Sequence, residues 1–281
     1  MFSIAQLHGQ TQRQLRPLYS KEEARALSYA LLEHFGKLSR AQLFAFPETE
    51  LSPETARQIQ TAIAGLIAHK PLQYLTGETL FCGLPIEVSG AVLIPRPETE
   101  ELTLWAAGSI QKGAVVIDLC TGSGCIAVAL KKRIPSAEVH ACDLSPEALE
   151  TAQRNAVKNG AGIHFFRCDV LSTVPFDKKA DCIICNPPYV RQSEKAAMRK
   201  NVLLYEPHQA LFVDDSDPLV FYRAIARFAQ QHLQKDGTVF VEINESLGNE
   251  TKALFTASGF APVELRKDIN GKDRMIRFAG V

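Results

Sequence analysis

From about residue 113 the sequence alternates short apolar runs with segments of helical period, and this alternation constrains the fold more than any other feature. Apolar runs fall at 114–120, 137–143, 162–169, 180–186 and 237–243, with helical segments at 125–133, 145–160, 217–233 and 246–259 between or after them. Runs that are apolar throughout suit strands buried on both faces, and helices between them supply the cover. The pattern predicts an α/β fold with a mostly parallel sheet, and residues 261–268 and 273–280 predict an edge hairpin. In such sheets ligands lie at the carboxyl ends of the strands, so the residues that end each run are the first to inspect for function.

The earlier part of the chain is different. Ser20 and Glu23 have capping-box spacing, and Ala24, Leu27, Leu31 and Phe35 recur at helical intervals. Ser52 and Pro53 open a second helix carrying Ile59, Ile63, Leu66 and Ile67. Residues 1–70 therefore read as a small helical domain. Residues 71–100, with Gly and Pro among short apolar pieces, read as a β-hairpin linker, and 101–281 as the catalytic domain. Residues 1–20 carry two Arg and no acidic residue, and are expected to be an ordinary exposed N-terminus rather than a targeting signal. No apolar run is long enough for a membrane span, and the expected compartment is the cytoplasm.

Lys plus Arg and Asp plus Glu are equal at 31 each, so no global basic field draws in nucleic acid. Seven cysteines, an odd number, sit in or beside apolar runs as small core residues. Cys182 and Cys185 form a C-x-x-C, but residues three apart on a strand face opposite ways, so no metal is expected there.

Three strand ends carry a nucleotide-like signature. Asp118-Leu-Cys120-Thr121-Gly122-Ser123-Gly124 joins the first run to a helix, where glycines let a ligand approach the backbone and the helix N-terminus presents free N–H groups. By itself the loop fits NAD as well as other nucleoside cofactors. Asp143 ends the second run, where a carboxylate accepts from ribose hydroxyls. Asp169 and Val170 follow the third, placed to bracket an adenine.

The fourth run ends in Asn186-Pro187-Pro188-Tyr189. The prolines carry no N–H, so this corner offers acceptors, namely carbonyl oxygens and the Asn186 side chain, beside an aromatic face. That chemistry suits a planar NH2 group, whose nitrogen is a poor nucleophile until acceptors hold its hydrogens as it attacks. The corner leaves an amide and a nucleobase equally open.

Together these elements resemble the class I S-adenosylmethionine-dependent methyltransferases of amino groups. Leu93–Leu102 (LIPRPETEEL), Tyr205–Phe212 (YEPHQALF), KPLQYLTGETLFCGLPIEV, DPLVFYRAI and KDINGKDRMI are similar to the peptide chain release factor glutamine methyltransferases, the PrmC/HemK family. The resemblance runs from about residue 70 to the C-terminus. Cys120, Pro218 and the EINES stretch depart from the family pattern, which more often has Gly, Gly and Glu-Ile-Gly there.

The resemblance implies a Rossmann-like domain with a seven-stranded mostly parallel sheet, S-adenosylmethionine as cofactor and S-adenosylhomocysteine as product. The implied substrate is the Gly-Gly-Gln glutamine of class 1 release factors, gripped partly by the N-terminal helices. Asp118, Cys120, Thr121, Gly122, Ser123, Gly124, Asp143, Asp169, Val170 and Asn186 are expected at the cofactor. Asn186, Pro187, Pro188 and Tyr189 are expected at the substrate amide, with Asn186 and the Pro187 carbonyl accepting and Tyr189 packing on its plane. Residues 95–100 are expected to close over the methyl-donor end. A monomer without direct nucleic-acid binding is expected. The alternatives are a nucleobase amino methyltransferase and a nonenzymatic nucleotide-binding or NAD-dependent module.

Overall fold

A computed structural model describes residues 2–280. The chain divides into two compact units, one made of the chain up to Gly77 together with Arg199–Tyr205, the other of Glu78–Met198 and the chain from Glu206 onward.

In the first unit a two-residue strand β1 (Phe2–Ser3) leads into α1 (Ile4–Leu15), followed by α2 (Lys21–Gly36), α3 (Arg40–Ala45), β2 (Glu50–Leu51), α4 (Pro53–Ile67) and α5 (Leu72–Thr76). Ser3, Ser20 and Ser39 each accept from the third helical N–H, while Gln6, Glu23 and Gln42 reach back to close the box. Residues 4–15 are not an exposed N-terminus. Ile4, Leu7 and Leu15 are buried with Leu31, Leu32, Ile59 and Ile63 in one core. Their spacing of three and eight places them on one helical face, which polar Gln and Thr neighbours disguise in a search for apolar runs.

The second unit opens with a hairpin, β3 (Glu78–Phe81) and β4 (Leu84–Glu87), then α6 (Pro97–Ala107). The expected 71–100 linker is therefore corrected at both ends. Residues 72–76 are helical, and Pro97 starts a helix, its fixed φ suiting the first turn. The hairpin is fastened to the sheet unit by Asn155, which receives the Glu87 N–H (2.6 Å) and donates to the Glu87 carbonyl (3.0 Å).

The sheet follows as β5 (Val115–Leu119), α7 (Cys125–Arg133), β6 (Glu138–Asp143), α8 (Pro146–Lys158), β7 (His164–Arg167) and β8 (Ala180–Cys185). Beyond it come a short parallel pair, β9 (Val190–Arg191) and β10 (Phe212–Val213), with α9 (Lys200–Tyr205) between them in the chain. Then α10 (Val220–His232), β11 (Leu233–Glu242), α11 (Gly248–Ala257), β12 (Val263–Lys267) and β13 (Asp273–Ala279) complete the unit. The seven strands lie in the order β12-β13-β11-β8-β5-β6-β7, with β13 antiparallel to both neighbours. The chain runs outward from β5 through β6 to β7, then returns to lay β8 on the other side of β5. Strand order reverses there, which opens a crevice at the carboxyl ends. Ile117, Ile183, Val239, Val241, Tyr222, Phe255 and Phe278 are among the residues that fill the core between sheet and helices. Among the described residues no helix is long and apolar enough to cross a membrane.

Candidate active site

A cavity of about 670 Å³ lies at the crevice, lined by Thr121, Gly122, Ser123, Asp143, Asp169, Val170 and Asn186 among others. The size suits a nucleoside cofactor with part of a second substrate. Four separated strand ends thus deliver the expected residues to one place.

The loop after β5 is bent by left-handed backbone at Cys120 (φ 58°), Gly122 (φ 55°) and Gly124 (φ 77°). The two glycines serve different ends. A Cβ on Gly124 would meet the Ala152 Cβ at 2.8 Å, so this glycine lets α7 and α8 approach. A Cβ on Gly122 would meet nothing within 4 Å, and Gly122 lines the cavity. That open backbone is a cradle fit for a close-lying cofactor. Cys120 adopts the same left-handed region with a side chain, at a strain of about 1–2 kcal/mol.

Asp143 holds this loop as well as facing the cavity. Its Oδ2 accepts the Gly122 N–H at 2.8 Å and its Oδ1 the Ser145 N–H at 3.0 Å. Each oxygen retains a lone pair for a ribose hydroxyl. Burial raises its pKa, while those N–H donors counter the rise. Asp169 closes a turn on itself, accepting from the Leu171 N–H (2.9 Å) and the Ser172 hydroxyl (3.3 Å), and lines the cavity beside Val170.

Asp118 is not on the cavity wall. It is fully buried and receives the Thr121 hydroxyl at 2.5 Å on Oδ2, and among the described residues Oδ1 has no partner in good hydrogen-bond geometry, the nearby Ala127 N–H included. Desolvation pushes its carboxyl up to about 7, against the opposing Thr121 hydrogen bond. Through the Thr121 hydroxyl it is placed to shape the loop, and β5 points this side chain inward, away from the cavity where Asp118 was grouped with the cofactor residues.

Residues 91–99 form another wall, through Ala91, Val92, Leu93, Pro95, Arg96 and Thr99. Glu206, 3% exposed, anchors it by accepting from Arg96 at 2.6 Å and from the Ile94 N–H at 3.2 Å. The PRPETE and YEPH stretches, 110 residues apart in the chain, therefore meet in one partly buried ion pair. The segment is both salt-bridged and part of the cavity.

At the end of β8, Asn186 and Pro188 line the cavity, and Pro187 and Tyr189 do not. Asn186 Nδ2 donates to Thr99 Oγ1 at 3.0 Å, and among the described residues nothing donates to its Oδ1. The Tyr189 ring packs against the core, its hydroxyl donating to Glu242 Oε1 at 2.8 Å and its carbonyl receiving Asn244 Nδ2 at 3.1 Å. Tyr189 thus braces the corner from behind the wall, which corrects the expectation of an aromatic lid. Burial, and then the Glu242 carboxylate, raise the Tyr189 pKa well above its usual value.

Sequence reasoning gave no individual role to Thr99 or Glu206, although it singled out the stretches that hold them, and it missed Glu242. Glu242 is 1% exposed and ends a core strand, the same placement that drew attention to Asp143. Burial raises its pKa, opposed by the Thr99 and Tyr189 hydroxyls and by Arg274. Asn244, in the EINES stretch, clasps the Tyr189 carbonyl with its side-chain amide.

Residues 6–77 match the PrmC N-terminal domain, and residues 102–214 match the methyltransferase small domain. The chain is 44% identical to a release factor glutamine methyltransferase of Flavobacterium psychrophilum, over 94% of each chain. It is 38% identical to one of Bacteroides thetaiotaomicron, over 93% of this chain and 95% of that one. A methyltransferase from Pyrococcus furiosus shares the fold at a TM-score of 0.54 and 19% identity, covering 79% of this chain and 98% of its own. With identity of that order over nearly its whole length, and with a cavity built on the class I methyltransferase sheet, the chain belongs to the release factor glutamine methyltransferase family of S-adenosylmethionine-dependent enzymes.

Proposed function

We propose that this enzyme methylates the side-chain amide nitrogen, N5, of the glutamine in the Gly-Gly-Gln motif of class 1 peptide chain release factors, and so modulates translation termination. The observation that carries the reading is the Asn186 amide, whose donor end is committed to Thr99 and whose acceptor end is free at the cavity. The second acceptor in this reading is the Pro187 carbonyl, which receives no hydrogen bond among the described residues, although Pro187 itself is not on the cavity wall. Two acceptors on one NH2 orient the glutamine and hold its hydrogens while positive charge develops on nitrogen. Pro187 and Pro188 keep competing N–H donors out of this corner. The nitrogen sheds one hydrogen as a proton once methylated, so no dedicated base is required.

The Gly122 cradle, Asp143, Asp169 and Val170 would hold S-adenosylmethionine, which when bound supplies an electrophilic methyl group. Asp143 would take the ribose hydroxyls with its remaining lone pairs, and Asp169 with Val170 would flank the adenine. The helical unit would help grip the release factor. The balanced charge supports a protein substrate over nucleic acid, and the enzyme is expected to act as a cytoplasmic monomer.

The test is to incubate the protein with labelled S-adenosylmethionine and an unmethylated release factor, then locate the label by mass spectrometry. The expected result is N5-methylglutamine in the Gly-Gly-Gln peptide. Label absent from that glutamine overturns the substrate assignment.

A further inference from the structure

An asparagine amide has nearly the same shape whichever way it points, so packing alone does not decide which end meets the cavity. Here the choice is made by hydrogen bonds that begin at a buried carboxylate. Glu242 Oε2 receives the Thr99 hydroxyl at 2.6 Å, and Oε1 receives the Tyr189 hydroxyl at 2.8 Å. With Glu242 ionised, the form that the two hydroxyls and Arg274 favour, the carboxylate accepts only, so both hydroxyl protons point at Glu242. The single proton of Thr99 is then spent, and its oxygen presents lone pairs alone to the third partner. That partner is Asn186, and only its NH2 end satisfies them, at 3.0 Å. The reversed amide would set its carbonyl oxygen against the lone pairs of Thr99 and turn its NH2 toward the substrate NH2, donor against donor.

We propose that Glu242 and Thr99 are positioning residues that fix the Asn186 side-chain oxygen toward the substrate amide. This rests on the reading of Asn186 as the acceptor of that amide. Every bond in the series polarises the next in the same sense, from carboxylate through hydroxyl and amide to the Asn186 oxygen. The oxygen is therefore both aimed and made more electron-rich where positive charge develops on the substrate nitrogen. The support is itself held. Thr99 lies in the first turn of α6, and its carbonyl receives the Thr103 hydroxyl at 2.7 Å. Arg274, paired with Asp268 at 3.2 Å, donates to the Ile243 carbonyl at 3.3 Å, beside the end of β11. The KDINGKDRMI stretch thereby steadies the strand end that carries Glu242.

The experiment compares Thr99→Val, Thr99→Ser, Glu242→Gln and Asn186→Ala with the parent enzyme. Turnover on the release factor, its KM, and S-adenosylhomocysteine affinity by calorimetry are measured for each. Val keeps the shape of Thr and deletes the oxygen, and Gln removes the charge and replaces one of the two acceptor oxygens with a donor. Both are expected to lower kcat by at least about tenfold, with KM and S-adenosylhomocysteine affinity within about threefold. Ser restores most of the turnover that Val loses. Calorimetry certifies a folded site, and should either Val or Gln fail it, the other still decides. A folded Val or Gln variant with parental kcat, or Ser falling together with Val, overturns the relay. If Asn186→Ala loses turnover while those variants do not, the relay alone fails. If Asn186→Ala turns over normally, the acceptor reading fails and takes the relay with it.

Discussion

The ends of β5 and β8 are neighbours, with Leu119 paired to Cys185 in parallel register, yet the next residues of the two strands build opposite chemistry. After β5 the chain turns on left-handed residues, and the Gly122 backbone lies open at the cavity. After β8 the chain turns on two prolines, and the corner has been stripped of donors. Each corner is tied down by a carboxylate from the strand beyond it: Asp143 on β6 holds Gly122, and Glu242 on β11 holds Tyr189 and Thr99. One corner is made by backbone freedom and the other by its loss. The first suits a cofactor that lies close against backbone, and the second suits an NH2 that needs acceptors.

The contrast breaks most sharply at Asn186. Asn186→Ala should lower kcat by about 10²–10³, as removal of a charge-stabilising hydrogen bond does elsewhere, while S-adenosylhomocysteine affinity by calorimetry changes little. A large loss of affinity would instead assign the residue to the cofactor corner.

Next is the pH response of the β5 corner. The Asp118 carboxyl is pushed up to about 7 in the fold from an ordinary value of 3.8. Below about 4 it is protonated in both states and carries no penalty. Between about 4 and 7 the unfolded chain ionises while the native chain keeps its proton, so this group removes stability as pH rises. Above about 7 the loss is complete. Denaturant titrations of Asp118→Asn and the parent should therefore diverge across this window by a few kcal/mol, with the variant gaining toward high pH. Parallel curves would show that Asp118 is not strained.

The two glycines divide the β5 corner itself. Gly124→Ala forces a Cβ into Ala152 at 2.8 Å in left-handed backbone, and should lower stability by about 2–4 kcal/mol. Gly122→Ala carries only the backbone strain, about 1 kcal/mol, but places a methyl in open cavity space and should weaken S-adenosylhomocysteine binding about tenfold or more. Thermal melts with and without the ligand separate the two. The smallest effect is at Cys120, where left-handed backbone inverts the usual order of small residues. Cys120→Gly should be more stable than Cys120→Ala by about 1 kcal/mol in chemical unfolding. Ala ahead of Gly would show that the loop relaxes out of that conformation.

The strands were legible because a buried strand needs a run of apolar residues and a sharp end. Observed β8 covers Ala180–Cys185 where 180–186 was expected, and the edge hairpin of β12 and β13 lies where the last two runs predict it. Helix α1 was not legible, because Ile4, Leu7 and Leu15 are diluted by polar neighbours and become a stripe only on a formed helix. The side of the wall on which Tyr189 sits was misplaced for a related reason. Strand and turn direction decide which side of a wall a side chain occupies, and a motif names the residue without its direction.

The sequence by itself determined the alternation that makes a parallel sheet, the carboxyl edge where ligands gather, a donor-poor corner at Asn186, and the family. These follow from local rules, namely apolar period, glycine freedom and the missing N–H of proline. Only the tertiary structure decided which distant residues serve that corner. Glu242 lies 143 residues from Thr99 and 53 from Tyr189, and Arg96 lies 110 from Glu206. A buried carboxylate must find hydroxyls or cations when water is gone, and which ones it finds is set by the packing of strands and helices rather than by anything beside it in the chain.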